Sequence, residues 1–403
     1  MKILIITQYF PPERGAVRRL AEFARYFAHE GVDVSVLTAI PNYPDGIVPE
    51  KYRGRFFYQE EIDGVKIYRS WVLPASNRYP GKRMIGFIIF LVTALINSLR
   101  IKGKFDIVLS SSPPVNTPVI GWLVSKLHHA RFILEIRDLQ PESSEEFGNL
   151  KQSFFTKLLK KFMHWIYRRA DHIVGVTDGI SEYMKKIGIP SNQVSTIKSG
   201  VGNEFLAAHS NGIRKKFGWE NKFLVLYAGT LGWAHSLETL IEAARNLVDQ
   251  PDIYFVFAGD GQKRQALEGM VRDYGLKNCC FIGLQSLETI PYFLKASDVL
   301  VESLKEVPIT KGTFPCKLFE YMASGRPIIF GSSGGEAVNE LEKAGGALWF
   351  PADQPKKLSE LILKLKDGRI NGKQLGQQYR KHISQYHIRE LWAKQYFELI
   401  NKD

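Results

Sequence analysis

The segment Phe223–Leu247, FLVLYAGTLGWAHSLETLIEAARNL, is the most telling in the chain. Phe223–Ala228 is an unbroken apolar run, the pattern of a strand buried on both faces. Gly229 and Gly232 then mark a turn, and a helical pattern follows over Leu237–Val248, entered near Ser236. Strand, glycine turn and helix make half of a βαβ unit. The same grammar recurs along the chain. Strands are expected at Lys2–Thr7, Asp33–Thr38, Ile107–Ser110, Arg131–Ile136 and His172–Val176. Others are expected at Ile253–Ala258, Cys280–Ile282, Val299–Val301, Pro327–Phe330 and Leu348–Phe350. Between them lie helical patterns such as Val17–His29, Ser153–Arg169, Gln262–Tyr274, Lys317–Ala323 and Glu336–Lys343. Alternating strand and helix implies parallel sheets covered on both faces. Two such series give an α/β chain of two doubly wound, Rossmann-like domains facing across a cleft.

The length of 403 residues fits two domains. We place them at 1–203 and 204–385, with a linker rich in small and polar residues over Ser199–Gly212. A helix at about 386–403 is expected to pack back on the first domain. Hydrophobic residues are 45% and charged residues 24%, which excludes a mostly disordered chain. The three cysteines, Cys279, Cys280 and Cys316, form no CxxC, so neither a disulfide framework nor a structural zinc site is expected. The run Ile3–Thr7 is too short for a signal peptide, and a cytoplasmic protein is expected.

The net charge is +13, which favours an anionic partner. Residues 1–205 hold 28 Lys/Arg against 19 Asp/Glu, so most of the excess belongs to the first half. Two basic segments stand out there. Residues 76–104 carry Arg78, Lys82, Arg83, Arg100, Lys102 and Lys104 around the apolar Met84–Leu99. Residues 151–169 carry Lys151, Lys157, Lys160, Lys161, Arg168 and Arg169 among Phe154, Phe155, Leu158, Phe162, Trp165 and Tyr167. Basic amphipathic helices with aromatics suit an anionic bilayer surface, and core helices with charged outer faces give the same pattern. The 16 residues of Met84–Leu99 fall short of the ~20 that a spanning helix needs. No nucleic-acid motif is legible, and no nucleic-acid partner is expected.

In open α/β sheets, ligands bind beyond the carboxyl ends of the strands. Glycines stand at four such ends: Gly15, Gly229 with Gly232, Gly259 with Gly261, and Gly331 with Gly334-Gly335. Together they suit a nucleoside diphosphate, although GxGxxG and GxxxxGK[ST] are both missing. In PCKLFEYMASGRP, residues 315–327, Lys317 and Glu320 share a helix face. They read either as a surface ion pair or as a phosphate contact beside a carboxylate for ribose hydroxyls.

Four stretches carry a family resemblance over nearly the whole chain. They are QYFPPERGAVRRLAEFARYFAHEGVDVSVLTAIPNYPDG, EIRDLQPESS, YAGTLGWAHSLETLIEA and PCKLFEYMASGRPIIFGSSGGE. The chain resembles family-4-type retaining glycosyltransferases of GT-B fold. The nearest branch is that of bacterial surface polysaccharides, of the colanic-acid and O-antigen fucosamine-transferase type. The resemblance implies a nucleotide-sugar donor, a UDP-sugar above all, bound mainly by the second domain. It implies a lipid-linked glycan acceptor on the first. Carried onto this sequence, Gly15, Gly229 and Thr230 lie at the donor diphosphate. Lys317 contacts phosphate with His235, Glu320 the ribose, and Leu284 the base. Gly334, Gly335 and Glu336 lie near the sugar. Arg137, Asp138 and Glu142 face the acceptor, where the family often has a histidine. The sequence departs from the family at Gly312, where many members carry a first glutamate. It departs again at Thr230 and His235-Ser236, in place of an Arg/Lys pair.

With no metal cluster or DxD in sight, no metal or other cofactor is expected. The leaving diphosphate is then stabilised by backbone amides, helix N-termini and Lys317. Lys82, Arg83, Lys157, Lys160, Lys161 and Trp165 are the candidates for holding the protein on the inner face of the cell membrane. Two alternatives stay open: an epimerase or hydrolase of the same fold, and a non-catalytic nucleotide-sugar-binding protein.

Overall fold

The computed structural model describes the chain except residues 14–16, 77–78, 149, 210–211 and 403. It divides into two compact units, Met1–Ser199 with Arg389–Asp403, and Gly200–Ile388.

The first unit holds eight strands: β1 (Lys2–Ile6), β2 (Asp33–Ala39), β3 (Phe57–Ile62), β4 (Val65–Ser70), β5 (Ile107–Ser112), β6 (Arg131–Ile136), β7 (His172–Gly175) and β8 (Val194–Thr196). Their order is β3-β4-β2-β1-β5-β6-β7-β8, and only β3 runs antiparallel to its neighbour. Strand β1 alternates between two cores. Ile3 and Ile5 join the core under α1 (Arg18–His29), whereas Leu4 and Ile6 join the one lined by Phe90 and Ala94 of α2 (Pro80–Ser98) and Ile120 and Val124 of α3 (Asn116–His128). Period-two side chains buried on both faces are what a central parallel strand requires. Each such aliphatic residue contributes about 1.5–3 kcal/mol on burial. Two further helices matter below, α4 (Glu142–Glu146) and α5 (Phe154–Tyr167).

The chain's last helix, Arg389–Ile400, packs on α1. Tyr396 meets Phe23 and Phe27 edge-on at 5.8 and 5.9 Å, and Arg389 pairs with Glu22 at 2.5 Å. Deeper in, Arg19 forms a buried ion pair with Glu135 and donates to the Ile197 carbonyl at 2.7 Å. Glu135 also accepts from Ser111 Oγ at 2.9 Å.

Two features of this unit differ from the sequence reading. The β3–β4 hairpin was not anticipated, because FYQEEI and VKIYRS are polar edge sequences with little apolar signal. Their turn is Asp63-Gly64, both at positive φ, the aspartate–glycine pattern of a tight hairpin. Helix α2 is also longer than the apolar run within it, since Pro80 starts it at the first helical position. Gly81–Ser98 is, among the described residues, the one helical segment long and apolar enough to cross a bilayer. One face of α2 is nevertheless built into the unit. Phe90 and Ala94 are buried, Thr93 Oγ1 donates to the Trp71 carbonyl at 2.7 Å, and Asn97 Nδ2 reaches Ser70 Oγ at 3.0 Å.

The second unit holds β9 (Phe223–Ala228), β10 (Ile253–Ala258), β11 (Cys279–Gly283), β12 (Val299–Ser303), β13 (Ile328–Gly331) and β14 (Leu348–Phe350). They form a fully parallel sheet in the order β11-β10-β9-β12-β13-β14. Leu224, Leu226 and Ala228 enter one core and Val225 and Tyr227 the other. The strand order reverses between β9 and β12, and such a switch point opens a crevice at the strand ends. The sequence reading ended β12 at Val301. The strand runs on to Ser303, with Glu302 in register with Phe330.

Candidate functional site

The switch point between β9 and β12 gathers a compact polar cluster. Glu302, on β12, is completely buried. His235 Nδ1 lies 2.7 Å from its Oε1, and Lys317 Nζ lies 2.8 Å from its Oε2. Lys317 also donates to the Tyr227 hydroxyl at 2.9 Å and lies 4.3 Å from the centre of that ring. Burial by itself would raise the Glu302 carboxyl, but the Lys317 ammonium and the His235 ring outweigh it and hold it well below the usual range. Burial and the neighbouring Lys317 lower the His235 pKa. The ionised Glu302 carboxylate can only accept, so His235 Nδ1–H is the donor in this contact.

Local backbone fixes each group. The loop after β9 is pinned to the end of β12 by Ser236 N to the Ser303 carbonyl at 2.9 Å and Lys305 N to the Ala234 carbonyl at 3.0 Å. This short antiparallel bridge, His235 against Leu304, aims the imidazole at Glu302. The helix Cys316–Ser324 is clamped to the end of β9 by Lys317 and, one turn on, by Tyr321. The Tyr321 hydroxyl accepts from Ala228 N at 2.7 Å and donates to the Ala228 carbonyl at 3.1 Å. Gly229 sits at φ +156°, and a Cβ there would collide with the Lys317 ammonium. The glycine is what lets the lysine lie under the turn.

The other anticipated residues fall along the same sheet edge. Leu284 follows β11 and is exposed, Gly259 follows β10, Gly229 and Thr230 follow β9, and Gly334-Gly335 follow β13. Both of the last two have positive φ, and Glu336 opens the helix behind them, Glu336–Lys343. From β11 to β13 is four strand spacings, about 19 Å. Glu320 is half-buried, one turn from Lys317.

In the first unit the groups are more dispersed, and Gly15 lies outside the described residues, as does Arg78. Arg137 follows β6, and its guanidinium donates to the Pro113 carbonyl at 3.2 Å. Burial raises the Asp138 carboxyl despite a hydrogen bond from Ser143. Glu142, at the start of α4, is buried and accepts from Tyr183 at 2.8 Å, with His164 Nε2 at 3.2 Å and Lys160 Nζ at 3.5 Å. Lys160 therefore pairs inside the unit, and Arg83 turns in to the Tyr9 hydroxyl at 3.1 Å. Lys82, Lys157 and Lys161 are exposed. Trp165 stacks edge-on with Trp122 at 5.0 Å, under Arg169.

Sequence reading missed Glu302, Tyr227 and Tyr321. The signal for Glu302 was a carboxylate at the end of an apolar strand, VLVES, which the early strand end placed in a loop. Reading missed Glu13 as well. It is buried after β1 and accepts from the amides of Phe10, Asn42 and Tyr43 at 3.2, 2.9 and 3.0 Å.

Two doubly wound sheets, of eight and six strands, are those of the GT-B fold. The sequence matches the family "Glycosyl transferase 4-like domain" over 14–200 and "Glycosyl transferases group 1" over 210–382. The two models together cover most of the chain, which belongs to these glycosyltransferase families. It is 25% identical over 351 residues to WcaI of Escherichia coli (strain K12), named as a glycosyl transferase of colanic acid biosynthesis, with 85% of each chain covered. It is 24% identical over 274 residues to the N,N'-diacetylbacillosaminyl-diphospho-undecaprenol alpha-1,3-N-acetylgalactosaminyltransferase of Campylobacter jejuni, covering 62% of this chain and 68% of that one. The crystal structure of Anabaena HepE in complex with UDP and glucose aligns with a TM-score of 0.76 at 15% identity over 100% of both chains.

Proposed function

We propose that the protein transfers a sugar from a UDP-sugar to a lipid-linked glycan, with retention, at the inner face of the cell membrane. The observation that carries the donor half is the Glu302–His235–Lys317–Tyr227 cluster at the switch point of the second sheet. The Glu302 carboxylate pairs with the Lys317 ammonium, and the Tyr227 hydroxyl accepts one of its N–H bonds, so the ammonium is held in place to meet a diphosphate oxygen. Glycine turns and helix N-termini on either side would receive the remaining phosphate charge, so no metal is needed for this step. The diphosphate takes the acceptor proton as the leaving group departs, and positioning supplies most of the catalysis. A lipid-linked acceptor is supported by the diphospho-undecaprenol in the name of the Campylobacter relative.

The test is a panel of UDP- and GDP-sugars with lipid-linked acceptors in EDTA, with the product anomer read by NMR. Acceptor-dependent transfer with the donor's configuration kept is expected. Release of free sugar at the same rate without acceptor would overturn the reading.

Two variants probe the donor site. Lys317→Ala, verified as folded by circular dichroism, is expected to weaken calorimetric UDP affinity by about 1.5–3 kcal/mol, the worth of a charge-assisted hydrogen bond. Unchanged affinity would remove Lys317 from the phosphate site. Glu320→Gln should weaken UDP more than its 2′,3′-dideoxy analogue, since the carboxylate is assigned to the ribose hydroxyls. Equal losses would make it structural.

A further inference from the structure

Away from the switch point, three side chains of the second unit converge. Glu340 lies on the helix Glu336–Lys343, His382 on the helix Gly372–Tyr386, and His387 directly after that helix. The two imidazoles come from one end of a helix, five residues apart, and the carboxylate from a helix about forty residues earlier. His382 Nε2 is 2.7 Å and His387 Nε2 2.8 Å from the same atom, Glu340 Oε1. The ligand atoms all lie within 4.8 Å of one another. Their side chains are 6% (Glu340), 14% (His382) and 6% (His387) exposed, so the cluster is walled from bulk water yet reachable at His382.

We propose that this cluster is a binding site for a divalent zinc-like cation. Two imidazole nitrogens and one carboxylate oxygen make a His₂Glu set, which zinc accepts with its fourth position open to water. Two imidazoles disfavour Mg²⁺ and Ca²⁺, which prefer oxygen alone. Binding requires each Nε2 to offer its lone pair, so the single proton of each neutral ring, now directed at Glu340, must sit on Nδ1 instead.

The cation would act as a staple. The His387 carbonyl accepts from Val201 N at 2.8 Å, so His387 already ties the end of the second unit to its beginning. Its ring packs 5.3 Å from Phe319 on the helix that bears Lys317. Lys317 and Phe319 are two residues apart and so leave that helix on nearly opposite sides. Glu340 is one turn beyond Glu336, on the helix that opens at Gly335. Metal at the cluster therefore stiffens two elements of the donor site from behind and takes no part in the transfer.

The experiment uses the full chain, stripped with EDTA and desalted. Zn²⁺ is titrated by calorimetry and Co²⁺ by its visible absorption, with thermal melts alongside. One equivalent bound at micromolar affinity or tighter is expected, with a tetrahedral Co²⁺ band, a raised Tm and no competition from millimolar Mg²⁺. His382→Gln, the variant least at risk of misfolding, should weaken Zn²⁺ by more than ~10-fold, the loss that even outer-shell changes produce. It should keep UDP affinity in the absence of metal. Cys316→Ser, which removes an exposed thiol, should bind Zn²⁺ as the wild type does. Absence of binding, or equal affinity in the wild type and His382→Gln, would overturn the site. Loss of binding in Cys316→Ser would do the same by placing the metal elsewhere.

Discussion

Glu302→Ala is expected to destabilise the second unit by about 3–5 kcal/mol, because it leaves the Lys317 ammonium with no counter-charge in a buried site. The measure is the urea midpoint, followed through the unit's tryptophans. A loss below about 1 kcal/mol would mean that the pair is solvated and does not organise the switch point. Lys317→Met in the same background should recover much of the loss, because it removes the stranded charge as well. The double variant should still fail to bind UDP tightly, which separates the fold's need for the pair from the ligand's. The pH dependence has a definite sign. The folded Glu302 carboxyl is held below its unfolded value, so its contribution is present above the unfolded pKa of ~4.3. That contribution is lost as the pH falls through the folded pKa.

The second large effect is expected at the membrane. Helix α3 packs between α2 and α5. From these helices Met84, Ile88, Val92 and Ile96, Leu123 and Leu127, and Phe154, Phe155 and Leu158 are exposed. Phe154 and Phe155 are 75% and 78% exposed, which a core helix would not leave. The charge reversals Lys157→Glu and Lys161→Glu are expected to weaken binding to anionic vesicles by about 2 kcal/mol or more, at ~1 kcal/mol per charge. Lys160 is left out because it already serves Glu142. Adding Phe154→Ser and Phe155→Ser should remove a further ~1.5–3 kcal/mol for each ring. All four changes together should lower partitioning by ~10³-fold or more in vesicle sedimentation, with UDP affinity unchanged. The charge variants should reduce the salt-sensitive part and the phenylalanine variants the salt-resistant part. If the wild type fails to sediment with vesicles at any salt, these faces are not a bilayer surface.

Local pattern alone gave the α/β class, most strands, the glycine turns and the helix bearing Lys317 and Glu320. Each of these depends on forces acting within about ten residues: side-chain periodicity, turn chemistry and the freedom of glycine at positive φ. The β3–β4 hairpin was lost because polar edge strands carry little apolar signal. Apolar content understates the length of α2, because the proline that starts the helix lies four residues before the apolar run.

What the sequence could not determine is which distant residues meet. Tyr227, His235, Glu302 and Lys317 span ninety positions and touch only because β9 and β12 are neighbours in the sheet. Glu340 lies more than forty positions from His382 and His387 and meets them only through the fold of the second unit. A carboxylate at a strand end reads as an ordinary loop residue until strand order shows what lies opposite it. Strand order is set by long-range pairing and the burial of two faces at once, which no local window contains. Local physical chemistry thus chose the elements, and the sheet's topology chose the partners.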